Sequence, residues 1–133
     1  MRLTTKSEYS ILALIHIARC GRHDFVKIDS IVEKYSVPKK YLEHLLVILK
    51  QNHFLKARRG AGGGYKLALA PSKISIAQII RLMDGALAPT ESVSIYFFSH
   101  TPLEKEKRIM NVFKEIRNYV SRRLEKLKLS DLI

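Results

Sequence analysis

Apolar side chains recur at Ile109, Phe113, Ile116, Val120, Leu124 and Leu127. The steps are four, three, four, four and three, close to a heptad seam, and the intervening positions are rich in Lys, Arg and Glu. This pattern predicts one long amphipathic helix over residues 103–127. At ~1.5 Å per residue it would run ~37 Å and protrude from a body of 133 residues. Its apolar stripe needs a second surface. Another copy of the same helix is the simplest one, and the six seam residues are the expected dimerisation set. The alternative is packing back onto the chain's own first helix.

Such a length suits one compact domain, or a small domain with an appended oligomerisation element. Apolar residues make up 47%, as in globular rather than disordered chains. No apolar run is long enough to cross a bilayer. The start at Met1-Arg2-Leu3 leads into a polar stretch without the apolar core of a signal peptide, so a cytoplasmic location and no membrane partner are expected. One cysteine, Cys20, excludes an internal disulfide framework and a cluster or four-Cys zinc site held within one chain. The 24 basic and 12 acidic residues leave a net charge of +12. That excess points first to nucleic acid and second to an acidic membrane surface.

Further features order the remaining segments. Residues 5–20 read as a helix, with Thr5 and Glu8 spaced like a capping box and Gly21 ending the run. A shorter helix is expected over 28–35, capped by Asp29 or Ser30, with a tight break at Ser36-Val37. Pro38 opens the next helix, to about Gln51. Tyr41, Leu42, Leu45, Leu46 and Leu49 face inward there, leaving Lys39, Lys40, Glu43, His44 and Val47 outside. Phe54–Arg59 and Tyr65–Ala70 are two short segments joined by glycines, the signature of a hairpin. Ser75 starts a helix whose stripe is Ile76, Ile79, Ile80 and Met83. The run Val93–Phe98 is apolar and β-prone but lies in a loop-like stretch.

Helix, helix, tight turn, helix, hairpin is the order of a helix-turn-helix followed by a wing. The fold expected is therefore mainly α: a winged helix-turn-helix over residues 1–83 with a two-stranded β wing. A connecting loop over 84–102 and a dimerisation helix with its tail over 103–133 follow. Pro38–Gln51 would be the recognition helix. Its first turns carry Lys39, Lys40, Tyr41, Glu43 and His44, where free N–H groups and the helix dipole also attract phosphate. Between Pro38 and Lys66 stand seven basic residues and one acid, half of the net charge in under a quarter of the chain. Phosphate neutralisation requires such a footprint. The lone acid, Glu43, can accept from cytosine N4 and so read sequence, or it can pair with Lys39 one turn away. At the wing, Arg58 and Arg59 flank Gly60, Gly62, Gly63 and Tyr65, and an arginine there can enter a narrow minor groove. The glycines fit neither a Walker A loop, since Gly64 precedes Tyr65, nor a dinucleotide fingerprint.

Met1-Arg2-Leu3-Thr4, Tyr41-Leu42-Glu43 and Arg59-Gly60-Ala61-Gly62-Gly63-Gly64-Tyr65 together resemble the Rrf2 family of bacterial winged-helix transcription regulators. The resemblance extends over essentially the whole chain. It implies a homodimer that binds palindromic operators, usually as a repressor, with long C-terminal helices crossing between subunits. It places DNA contacts at Lys40, Glu43 and His44, at Arg59 and its glycines, and near the N-terminus at Thr4. Lys40 and His44 differ from the Ser and Gln of the family's iron–sulfur regulator, so that protein's operator does not transfer. Cluster-binding relatives carry three cysteines between the fourth helix and the long helix. Here residues 84–103 hold none, and Ser92 stands about where the first would fall. The resemblance therefore implies a cluster-free regulator with no cofactor. Val93–Phe98 replaces the cysteine loop and is a candidate site for a small effector, a protein partner or the second subunit.

Other chemistry finds thin support. His16, Cys20 and His23 make a weak metal set, and Cys20 a weak redox sensor despite Arg19 and Arg22 nearby. No nucleophile–base pair or catalytic carboxylate pair is visible, so no enzyme is expected. The function expected is a sequence-specific DNA-binding regulator. The alternative is a protein-interaction module holding a metabolic enzyme or another protein, and salt dependence would separate the two.

Overall fold

A computed structural model describes residues 1–21 and 23–133. Five helices and one hairpin follow in the order expected: α1 (Thr5–Arg19), α2 (Ile28–Tyr35), α3 (Lys39–Gln51), β1 (Leu55–Arg58), β2 (Gly64–Leu67), α4 (Ile76–Asp84) and α5 (Lys107–Lys126). Single 3-10 turns lie at Pro71–Lys73, Glu91–Val93, Pro102–Lys105 and Leu129–Leu132.

The helical spacing of leucines in α3 explains its role as the centre of the body. Leu42, Leu45, Leu46 and Leu49 are all fully buried. They pack with Ala13, Leu14 and Ile17 of α1, Ile31 of α2, and Leu55 and Leu67 at the base of the hairpin. Each such burial contributes roughly 1.5–3 kcal/mol. The turn between α2 and α3 is made by Ser36, held left-handed at φ 54° with its N–H on the Val32 carbonyl. Pro38 then caps α3 from outside. The strands pair antiparallel, Leu55 with Leu67 and Arg58 with Gly64.

Several local expectations change. The cap of α1 is Thr4, one residue before Thr5, and its hydroxyl accepts from the Lys6 N–H. Neither Asp29 nor Ser30 caps α2; that position is Lys27, and the Ser30 hydroxyl donates to its carbonyl. The long helix is 20 residues, about 30 Å. It starts late because Thr101 and Glu104 close a capping box around the separate turn Pro102–Lys105, and Glu106 is extended at φ −109°, ψ 92°. The α4 cap forms as the sequence suggests, with Ser75 and Gln78 reciprocally bonded.

After α5 the chain returns to the body. Ser75 and Lys128 form an isolated bridge, the Leu129 N–H donates to the Ile74 carbonyl and the Ile76 N–H to the Leu127 carbonyl. Leu129 is fully buried in the main core.

Candidate nucleic-acid interface

The hydrophobic seam of α3 faces the core, so its other residues face outward. Lys39, Lys40, Glu43 and His44 are all exposed on its first turns. Tyr41 is half-buried: its ring meets Tyr9 edge-on at 5.8 Å and its hydroxyl accepts from Thr5 at 3.4 Å. Lys39 Nζ lies 2.8 Å from Asp29 Oδ1 on α2. That hydrogen bond, with the Asp29 charge, holds the ammonium above its ordinary value. Glu43 is therefore not the partner of Lys39 in an ion pair.

The wing lies beside this face. Val47, Lys50 and Gln51 of α3 and Ala57, Arg58, Arg59 and Tyr65 of the wing line one groove. Burial, followed by the nearby Glu43 charge, pushes the Tyr65 phenol up. Lys50 of α3 and Arg58 and Arg59 of the wing thus present their cations in one groove.

Backbone geometry explains two of the glycines. Tyr65 exchanges both backbone hydrogen bonds with Val26, at 2.7 and 2.8 Å, fastening the wing to the segment before α2. A Cβ on Gly64, which sits at φ +140°, would strike the Val26 carbonyl, and one on Gly63 would strike the Arg58 carbonyl. Gly60 and Gly62 stand at the exposed tip with open space around them. Phe25 lies under the wing, with the Arg58 guanidinium 4.3 Å and the Lys66 ammonium 4.6 Å from its ring. Arg58 is thereby steadied, while Arg59 is exposed at the tip.

Thr4 is engaged within the fold. Its N–H and hydroxyl donate to Asp84 at 2.9 and 2.6 Å, joining the start of α1 to the end of α4. Burial works to raise the Asp84 carboxyl. The neighbouring Ser7 hydroxyl, which closes no well-formed hydrogen bond, and Thr4 outweigh that effect, so the group sits below its usual value.

The six seam residues divide. Val120, Leu124 and Leu127 pack on Ile76, Ala77, Ile80 and Leu87, and Phe113 joins Ala88, Val93 and Met110. Ile109 and Ile116 remain exposed, together with Val112 and Tyr119. The outward stripe of α5 is thus Ile109, Val112, Ile116 and Tyr119, in steps of three, four and three. Val93 is buried, whereas Ile95, Tyr96, Phe97 and Phe98 are exposed.

Residues passed over by the sequence reading are Gln51 on the groove and Phe25 and Val26 beneath the wing; that reading places Val47 only on the outer face of α3, and Lys50 and Lys66 only within the basic footprint. The only local signal was an apolar pair, Phe25-Val26, among charged neighbours. Elsewhere, the His16 ring nitrogen Nε2 lies 3.1 Å from the Ser30 hydroxyl. Burial, with Lys34 and Arg19 nearby, lowers its pKa. Cys20 is exposed.

The family model for Rrf2, described as an iron-dependent transcriptional regulator, matches residues 3–133. The chain is 32% identical over 132 residues to the HTH-type transcriptional regulator slr0846 of Synechocystis, covering 99% of this chain and 87% of that protein. It is also 32% identical to the HTH-type regulator Rv1287 of Mycobacterium tuberculosis, over 71% of this chain but only 59% of that one. Among solved structures, CymR, the global cysteine regulator of Bacillus subtilis, superposes with a TM-score of 0.80 at 28% identity, covering 99% of this chain and 95% of CymR. The iron in the family's description finds no fitting donor set here. The sequence offers one cysteine, and among the described residues no three His, Cys, Asp or Glu gather to hold a metal. Ser92, in the segment before α5, is buried with its hydroxyl engaged by Thr101 and Met110. No described helix is long and apolar enough to cross a membrane. A winged helix with a basic face, matched from residue 3 to residue 133, makes the chain a member of the Rrf2 family of DNA-binding, helix-turn-helix transcriptional regulators, which are not enzymes.

Proposed function

We propose that the chain binds palindromic operators as a homodimer and represses transcription from them, without an iron–sulfur cluster. The observation that carries this reading is the groove between α3 and the wing, lined by Lys50, Arg58 and Arg59, with Lys40, His44 and Arg59 exposed for contact. Lys40 and His44 stand on α3 and Arg59 at the wing tip. The helix suits a major groove, with Lys40 on phosphate and Glu43 and His44 toward base edges. Arg59 suits the adjacent minor groove. The exposed Ile109–Tyr119 stripe supports self-association, because an apolar seam at heptad spacing is covered by a second copy of itself. Two copies related by a two-fold axis match an inverted repeat. Repression follows from occupancy, since a bound dimer excludes other proteins from the same grooves.

Selection from random duplexes tests this directly. Inverted repeats should be enriched, with half-site centres about 10–10.5 base pairs, or a multiple, apart. The logarithm of the affinity should fall linearly with the logarithm of salt. Exposed Ile95, Tyr96 and Phe98 favour a second reading, docking of a protein partner. Binding that ignores salt, with no enriched repeat, would support that one instead.

A further inference from the structure

The segment before α5 and the first half of α5 line an open cavity of about 550 Å³, within the roughly 300–1,000 Å³ typical of small-molecule sites. Val93, Phe98 and Met110 give it apolar wall. Lys107, Lys114 and Arg117 line it with positive charge against one acid, Glu104. That acid is already engaged, accepting from the Thr101 N–H at 3.2 Å and lying 3.0 Å from the His100 ring. Neither lysine has an ion-pair partner among the described residues.

Donors remain for a ligand. Arg117 uses one N–H on the Val93 carbonyl and two on the Asn118 side chain, leaving two of its five. The buried Ser94 hydroxyl accepts from the Phe97 N–H and keeps its own proton to donate. Three cations, spare N–H and O–H donors and an apolar wall recognise one class of molecule. We infer that this cavity binds a small organic anion, a carboxylate or phosphate carried on an apolar body.

At 3.6 residues per turn, Lys107 and Lys114 occupy the flank of α5 opposite Ile109, Val112 and Ile116. A second copy seated on that stripe leaves the cavity open. The site also stands apart from α3 and the wing, so it does not depend on the DNA reading.

Calorimetric titration of the full chain with phenyl phosphate and with benzoate tests the inference, with benzyl alcohol as the uncharged counterpart. At least one acid should bind saturably, one per chain, and the alcohol should not. Which acid binds tighter identifies the anionic group. Lys114→Glu and Lys107→Glu, both at exposed positions, should each weaken binding by about tenfold, as loss of a charge-assisted contact does. Lys40→Glu on α3 should leave it unchanged. Three results would overturn the inference: no saturable binding of either acid, equal binding of the alcohol, or loss of binding in Lys40→Glu but not in the α5 variants.

Discussion

Lys39 Nζ and Asp29 Oδ1 stand 2.8 Å apart across the turn between α2 and α3. The pairing spends the first cation of the recognition helix on its own fold and leaves Lys40 as the freer charge. Lys40→Ala should therefore reduce the slope of log affinity against log salt by about one, the loss of one phosphate contact. Lys39→Ala should reduce it less. Binding isotherms at several salt concentrations decide the matter, and equal slopes for the two variants would remove the distinction.

At the wing, Arg59 is exposed and Arg58 rests on Phe25. Arg59→Ala should weaken operator binding by roughly 1–3 kcal/mol while leaving stability unchanged. Phe25→Ala should act indirectly, loosening Arg58 and Lys66 together. Anisotropy on a selected duplex gives the first quantity and thermal unfolding the second.

Placing glutamate at both Ile109 and Ile116 should yield folded monomers that no longer hold an operator, because both half-sites must be engaged at once. Val120→Glu tests something else. That side chain packs on α4, so the variant should lose stability as well. Sedimentation velocity with parallel melting curves separates the effects; a dimer that survives the double change would remove the stripe from the interface.

Asp84 ties α4 to the start of α1, and its carboxyl lies below the ordinary value of 3.8. The unfolded chain then takes up the proton first as pH falls. The stabilisation is complete above that ordinary value and disappears as pH drops through the folded one. Asp84→Asn should cost about 1 kcal/mol near neutrality and make stability flatter below pH ~4. Urea unfolding across an acid pH series reads both.

His16 works with the opposite charge. Its folded pKa lies below 6.5, because burial favours the neutral ring. Stability is full above that value and declines as the pH falls toward the folded one, since the unfolded chain is protonated first. His16→Gln should flatten stability as the pH falls below 6.5, measurable in the same series.

Periodicity carried far in this chain. The leucines of α3, the stripe of α4 and the glycine-joined strands are local patterns, and each forms as they dictate. The long helix was legible as a helix but not in its facing. Its apolar residues form two adjacent stripes, and periodicity does not say which one the same molecule covers. Phe113, Val120, Leu124 and Leu127 turn inward because α4 and the Ala88–Val93 segment lie there, a fact of tertiary placement. The Val26–Tyr65 bridge and the Arg58–Phe25 stack join residues more than thirty positions apart, which no local pattern encodes. Thr4 matched a motif, yet its hydroxyl is committed to Asp84.

The return of residues 128–132 has a mechanical consequence. Leu129 is sealed into the core that α3 organises, and backbone bonds on both sides of Ser75 clasp the end of α5. The clasp gears the stalk to the head and restrains α5 from swivelling at its base. In a two-fold assembly the span between the two reading heads would then be fixed like the jaws of a caliper. Operators would be measured by length as well as by letter, and inserting a single base pair between half-sites should be as damaging as changing one of them.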